Sequence, residues 1–344
     1  MISEQKIYSI LNHSIPGFEA TSELQPIEGG NLNHLWRICD RNKKLIIKWA
    51  PPHIASNPEV SLSPERIAIE AKALQLFEED GLLYSFIDEQ LRPPQIYVYD
   101  KNQHLLLMED LGQIPSLDQW LGDNNLDSIG ERLGTFIGNI HRRTFGKKEL
   151  SQRFDNHDIQ QTRLEVQYKP AADYALASRA QGIDLNLIRS KTQMLGNQLM
   201  ETGCCLIMGD LWPPSILVDR GNLYIIDWEF SHFGYPLQDV GHFAAHCWMQ
   251  AHMASFESQE NRFKQLWGQF WKSYKKSMGE QISELDLDGM MTHAGAEILI
   301  RVCGPFQKGY VYEECEADSL PVRQAVNKVQ QIIASACITK LWEK

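Results

Sequence analysis

A chain of 344 residues has room for about two domains, and 43% hydrophobic with 22% charged residues is a globular composition that excludes extended disorder and a fibrous repeat. Forty-four acids against 33 lysines and arginines leave a formal charge of −11, which repels phosphate backbones and anionic membrane surfaces, so neither nucleic acid nor a membrane is an expected partner. The seven cysteines (Cys39, Cys204, Cys205, Cys247, Cys303, Cys315, Cys337) are scattered and contain no CxxC pair, which predicts reduced thiols in a cytoplasmic setting, with no disulfide and no structural zinc. Residues 1–16 are polar at Ser3, Glu4, Gln5 and Lys6, and no apolar run of about 18 residues occurs, so neither a secretory signal nor a membrane span is expected.

The first third of the chain is strand-rich. Residues 24–28, 35–39, 45–50, 95–100 and 105–109 are short runs of Ile, Val, Leu and Tyr bounded by Gly, Pro, Asn and Asp, which predicts a five-strand sheet. Gly29, Gly30 and Asn31 fall between the first two strands, where small residues let backbone N–H groups approach a phosphate, although a Gly-Gly pair alone is more often a plain hairpin turn. Lys48 lies in the apolar strand LIIKW, where a cation is costly without a partner. Residues 63–77 read as one inserted helix: Ser63 suits the cap, Pro64 the first turn, and Ile67, Ala71 and Leu74 repeat at helical spacing. Glu70, on that helix, is the natural partner of Lys48. The Gly and Pro residues of 112–116 place a boundary there, giving domains 1–111 and 112–344.

Beyond residue 117 the pattern is mainly helical, with Ile129, Leu133, Phe136, Ile137 and Ile140 on one face and Phe263, Leu266, Phe270 and Tyr274 on another. One hairpin interrupts it over residues 216–229, turning at Asp219, Arg220, Gly221 and Asn222. Met208-Gly209-Asp210 precedes the hairpin and Asp227-Trp228-Glu229 follows it. Folding it is expected to bring Asp210 and Asp227 together at its open end, with Asp227 and Glu229 on one side of a strand, facing a hard cation such as Mg²⁺. His141, His242 and His246 lie in helical patterns without a matched ligand set and read as buried, hydrogen-bonded histidines; residues 313–318 read as a solvated acidic loop.

These motifs resemble the kinase-like family of aminoglycoside phosphotransferases, choline kinases and methylthioribose kinases, over nearly the whole chain. MGDLWPPSIL is similar to the family's catalytic loop and IIDWEF to its metal-binding segment, where these small-molecule kinases carry Asp-x-Glu. The resemblance implies an α+β, bilobal, protein-kinase-like fold with a small β-rich N-lobe and a large mainly helical C-lobe. It also implies ATP with Mg²⁺ and a small-molecule hydroxyl as acceptor. Asp210 would be the catalytic base and Asp227 a metal ligand; Lys48 and the 29–31 loop would hold the phosphates, and Glu70 would orient Lys48. MEDL resembles the hinge, where backbone groups of Glu109 and Leu111 would pair with adenine. GYPLQDVGHF, with Asp239, is similar to the segment that supports the catalytic loop.

Two positions depart from the family's HGDxxxxN pattern: Met208 replaces the His and Ser215 the metal-binding Asn. A hydroxyl is a weaker Mg²⁺ ligand than an amide carbonyl, and Glu229 is expected to supply the missing oxygen. Ser215 with Asp-x-Glu, GGNLNHLWR and the long segment after Lys48 are nearest to methylthioribose kinases. So is AEILIRVCG, which keeps one of two arginines implied to contact substrate, Arg301, with Ile300 beside it. Trp212 either lines the acceptor pocket or packs in the core. A methylthioribose-like sugar is the expected acceptor; an aminoglycoside or amino alcohol is the alternative, and a nucleotide-binding pseudokinase the rival from another class.

Overall fold

The computed structural model describes residues 2–28, 32–120, 126–256 and 262–343, so Gly29, Gly30 and Asn31 lie outside the described residues. In chain order the elements begin with α1 (Glu4–Ser14), β1 (Gln25–Ile27), β2 (His34–Cys39), β3 (Lys44–Trp49), β4 (His53–Ile54), β5 (Asn57–Ser61) and α2 (Arg66–Gln75). They continue through β6 (Leu91–Arg92), β7 (Ile96–Asp100), β8 (Leu105–Glu109), α3 (Leu126–Thr144), α4 (Glu149–Arg153), α5 (His157–Arg163), α6 (Ala171–Ala177) and α7 (Leu185–Gln198). The rest are β9 (Cys205–Ile207), β10 (Ile216–Asp219), β11 (Asn222–Ile225), β12 (His232–Gly234), α8 (Leu237–Phe256), α9 (Arg262–Met278), α10 (Leu287–Val302), α11 (Leu320–Ser335) and α12 (Ile338–Trp342). A π-helical turn, Leu164–Tyr168, follows α5 directly. No helix among the described residues is long and apolar enough to cross a membrane.

The chain forms two compact units, one of residues 1–115 with 217–231 and one of residues 116–216 with 232–344. The segment bearing Asp227 and Glu229 therefore folds with the strand-rich residues, whereas the sequence expectation assigned it to 112–344.

In the first unit the sheet order is β1-β2-β3-β8-β7, built from the five strands read in the sequence. Strand alternation gives each face its own partner. Ile38, Leu45, Ile47, Leu105 and Leu107 bury against Ile7, Ile10, Leu11, Ile15 and Phe18 of α1 and its exit loop, while Lys48, one residue on from Ile47, turns toward α2. Helix α1 was missed although its signal is present: Ser3 accepts the Lys6 amide as an N-cap, and its apolar residues recur at three- and four-residue spacing. Also missed were the β4–β5 ribbon, where β5 is exposed along its whole length and so shows no alternation, and the β9–β12 pair, too short to show a period. Helix α2 begins at Arg66 rather than residue 63, because Ser63, Pro64 and Glu65 form the turn that leads into it. The hairpin turn falls where expected, with Arg220 at φ 50° and Gly221 at φ 90°, the paired positive values of a tight two-residue connection.

The second unit is helical, and its core is set by a close approach of α3 and α9. Gly130, Gly134 and Gly138, four residues apart on α3, face α9: a methyl group at Gly130 would overlap the Leu266 carbonyl and one at Gly134 the Phe270 carbonyl, while one at Gly138 would lie 2.7 Å from the Ser277 Cβ. That approach seats Phe270 and Tyr274 at zero exposure, with Phe270 4.5 Å from Phe243 of α8. Gly134→Ala is therefore expected to destabilise the protein by about 1–3 kcal/mol, the usual cost of overpacking a close-packed contact. Urea unfolding measures it, and an unchanged midpoint would refute the close approach.

Candidate active site

In the first unit, Lys48 sits on β3 opposite Leu35 and Leu106 with its side chain 3% exposed. An ammonium this deep survives only if paired. Its Nζ lies 2.8 Å from Glu70 of α2, 2.9 Å from Asp227 and 3.1 Å from Glu229. Burial opposes its charge, yet the three carboxylates outweigh burial and hold its pKa well above the ordinary lysine value. Glu70 moves the other way: burial, with Glu229 and Asp227 nearby, pushes its carboxyl up to about 7 against the pull of Lys48.

Asp227 and Glu229 meet at Lys48 by a different route from the one expected. Strand β11 ends at Ile225; Asp227 adopts the left-handed conformation, φ 63° and ψ 59°, and immediately precedes a 3₁₀ turn, Trp228–Phe230. The turn is fixed by Trp228, whose indole N–H donates to the Ile225 carbonyl at 2.9 Å and whose ring lies 5.1 Å from Phe77. Asp227 remains 48% exposed, but Glu229 is buried: Asn33 donates to both its oxygens at 2.8 and 2.9 Å, and Arg66 lies 3.4 Å from one. The donor chemistry fits a hard cation at Asp227, whereas the Glu229 oxygens already serve Asn33, Lys48 and Arg66. Asn33 and Arg66 were missed; the available signal was Arg66 four residues before Glu70, on the same helical face.

The expected hinge is steadied from its side chains. Glu109 accepts from Arg92 at 2.5 and 2.7 Å; burial works against its charge, but Arg92 prevails and keeps the carboxyl below its usual range. Arg37 grips Asp110 with two hydrogen bonds. The Glu109 amide donates to the Gln95 carbonyl at 2.9 Å, so Glu109 has only its carbonyl to offer a ligand, while the Leu111 amide has no partner among the described residues.

In the second unit, the loop carrying Asp210 hangs on Asp239, which accepts the Met208 amide at 2.7 Å and the Gly209 amide at 2.8 Å. Asp239 is itself held by His141 at 3.2 Å, and His141 by Tyr274 at 3.0 Å, so the α3–α9 core reaches the loop through three side chains. Asp210 Oδ1 accepts from Arg163 at 2.8 Å. Ser215, wholly buried, has a hydroxyl with no hydrogen-bond partner among the described residues.

Arg301 and Trp212 come together. The guanidinium carbon lies 4.3 Å from the Trp212 ring centroid and 5.5 Å from those of Phe306 and Tyr310. Arg301 Nε donates to buried Glu297 at 2.9 Å, and the same oxygen lies 3.0 Å from His246 Nε2. Burial disfavours the Glu297 carboxylate, but Arg301, His246 and His242 hold its pKa well below the usual range. Arg163 and Glu297 were also missed; for Glu297 the signal was an acid in an apolar helix, four residues before Arg301. The histidines are hydrogen-bonded as expected, and the acids of 313–318 are exposed.

The sequence profile of the APH phosphotransferases matches residues 23–274. The chain belongs to the phosphotransferase enzyme family. This phosphotransferase is 24% identical over 303 residues to 4-hydroxytryptamine kinase of Psilocybe cyanescens, a match spanning 82% of this chain and 81% of that one. It is 25% identical over 271 residues to methylthioribose kinase of Bacillus anthracis (strain A0248), spanning 73% and 67%. Its fold matches choline kinase from Cryptosporidium parvum Iowa II with a TM-score of 0.58 at 13% identity, over 99% of this chain and 100% of that one. The α+β kinase-like fold is thus the observed one, and the chain is a small-molecule kinase that phosphorylates a hydroxyl group.

Burial drives the His242 pKa down to about 3, with Arg163, His246 and Arg301 adding to the effect against Glu297. A depressed folded-state value gives stability that is present above the unfolded pKa of about 6.5 and is lost as pH falls. Between pH 7 and pH 5 the phosphotransferase is expected to lose about 2 kcal/mol from His242 alone, at about 1.4 kcal/mol per unit. Urea unfolding at both pH values checks this: His242→Gln should shrink the loss, and an identical loss would contradict it.

Proposed function

We propose that the donor is ATP with Mg²⁺ and that the acceptor is a small neutral polyhydroxyl compound, a methylthioribose-like sugar. In this reading Lys48, oriented by Glu70, holds the nucleotide phosphates with Gly29, Gly30 and Asn31, and the Glu109 carbonyl and Leu111 amide take the adenine edge. Asp227 would hold Mg²⁺, and Glu229 would serve the metal only by exchanging one of its present partners. Held there, a metal ion would supply neutralisation of the charge on the transferring group. Asp210 accepts the acceptor's hydroxyl proton, so catalysis is mainly positioning. Seven free thiols support a cytoplasmic setting.

The observation that carries the acceptor class is Arg301. Three aromatic rings surround a cation that belongs to the chain itself. A second cation is repelled there, while the guanidinium's fixed donors suit hydroxyl oxygens. The match to 4-hydroxytryptamine kinase favours a second reading, a hydroxylated aromatic amine lying against Trp212, Phe306 and Tyr310. ADP release measured with 5-methylthioribose, 4-hydroxytryptamine, choline and an aminoglycoside decides between them, and turnover of the amines alone would overturn the sugar.

Two substitutions test the roles. Asp210→Asn should leave ATP affinity unchanged and cut turnover by about 10²–10⁴, the range of a general base; turnover within twofold of native would remove Asp210 from that role. Arg301→Ala should raise the acceptor KM and leave the ATP KM unchanged. Should it instead improve use of a cationic acceptor, the amine reading replaces the sugar one.

A further inference from the structure

Arg163 has no part in the function proposed above, yet its placement is costly. It ends α5, immediately before the π-helical turn Leu164–Tyr168, with its side chain 9% exposed. A buried guanidinium needs partners, and all those found here are polar groups on neighbouring elements of the same unit. Nη2 donates to Asp210 Oδ1 at 2.8 Å. Nη1 donates to Gln167 Oε1 at 3.1 Å, approaches His242 Nδ1 at 3.3 Å and lies 4.0 Å from Glu297. Gln167 in turn donates to Glu297 at 2.8 Å. The charges alternate from Asp210 through Arg163 and Glu297 to Arg301, and the π turn puts Arg163 and Gln167 on one network.

The grip on Asp210 is one-sided. Oδ1 is taken, while Oδ2 has no partner among the described residues. A carboxylate held by one oxygen has the direction of the other fixed, and a general base must meet its proton in a narrow geometry. We propose that Arg163 is a positioning residue: it clamps Oδ1 of Asp210 so that Oδ2 alone faces the acceptor hydroxyl, with Glu297 and Gln167 holding the clamp from behind. The inference rests on Asp210 being the base.

The test compares native enzyme, Arg163→Met, Arg163→Lys and Asp210→Asn, and the Arg163→Met/Asp210→Asn double variant. Phosphoryl transfer from ATP with Mg²⁺ is measured to 5-methylthioribose and, as phosphate release, to water, so that a wrong acceptor still leaves a rate to read. Arg163→Met should lower kcat by about 10²-fold with the ATP KM unchanged, and Arg163→Lys, which keeps one donor and the charge, should recover part of the loss. In the Asp210→Asn background the Arg163→Met change should cost nothing further, because the group it positions no longer accepts a proton. The same factor lost in both backgrounds, or a kcat loss matched by the unfolded fraction of each variant, would overturn the clamp while leaving Asp210 as the base. Native turnover in Asp210→Asn would overturn the base assignment and the clamp with it.

Discussion

A single ammonium group, on Lys48, organises the first unit. Taken out of water without partners it would cost several kcal/mol, and removing one member of such a group typically costs about 3–5 kcal/mol. The solution here uses three carboxylates from two separate stretches of chain, Glu70 on α2 and Asp227 with Glu229 beyond β11. Strand, helix and hairpin therefore have to arrive together. Burial, with the other two acids nearby, raises the Glu70 carboxyl pKa against the pull of Lys48, and Arg66 adds a second cation beside Glu229. Asp227 is the member left open to solvent, and its left-handed backbone is the strain that turns it there.

The second unit answers the same problem with a buried anion. Glu297 lies in a helix of apolar neighbours and is satisfied by Arg301, His246 and Gln167. Asp239 plays the matching part for the backbone, taking the two amides just before Asp210 and passing the load through His141 to Tyr274. Because Tyr274 is seated by the glycine stripe of α3, the position of the Asp210 loop depends on helix packing with no chemistry of its own. Burial lowers the pKa of His242, His246 and His293, so these three resist protonation inside the helical core.

Much of this was legible in the chain. The five strands of the main sheet, the inserted helix, the turn at Arg220 and Gly221 and the pairing of Lys48 with Glu70 all follow from period, turn chemistry and the cost of a lone cation. Short elements were not: β9 and β12 have three residues each, too few to carry a pattern. Asp227 and Glu229 do meet, at Lys48, but not as strand neighbours, since alternation ends at Ile225 and a 3₁₀ turn delivers Glu229 to Lys48.

What the sequence by itself determined is which groups have to be paired: a lysine in an apolar strand, an acid in an apolar helix, acids flanking a hairpin. Local periodicity and burial cost are properties of neighbouring residues, so one strand or helix is enough to reveal them. Which partners satisfy those groups was decided only by the tertiary structure. Asn33 reaches Glu229 across 196 positions of sequence and Gln167 reaches Glu297 across 130, distances over which no spacing rule operates, because such contacts exist only once the backbone has brought separate elements within hydrogen-bond range.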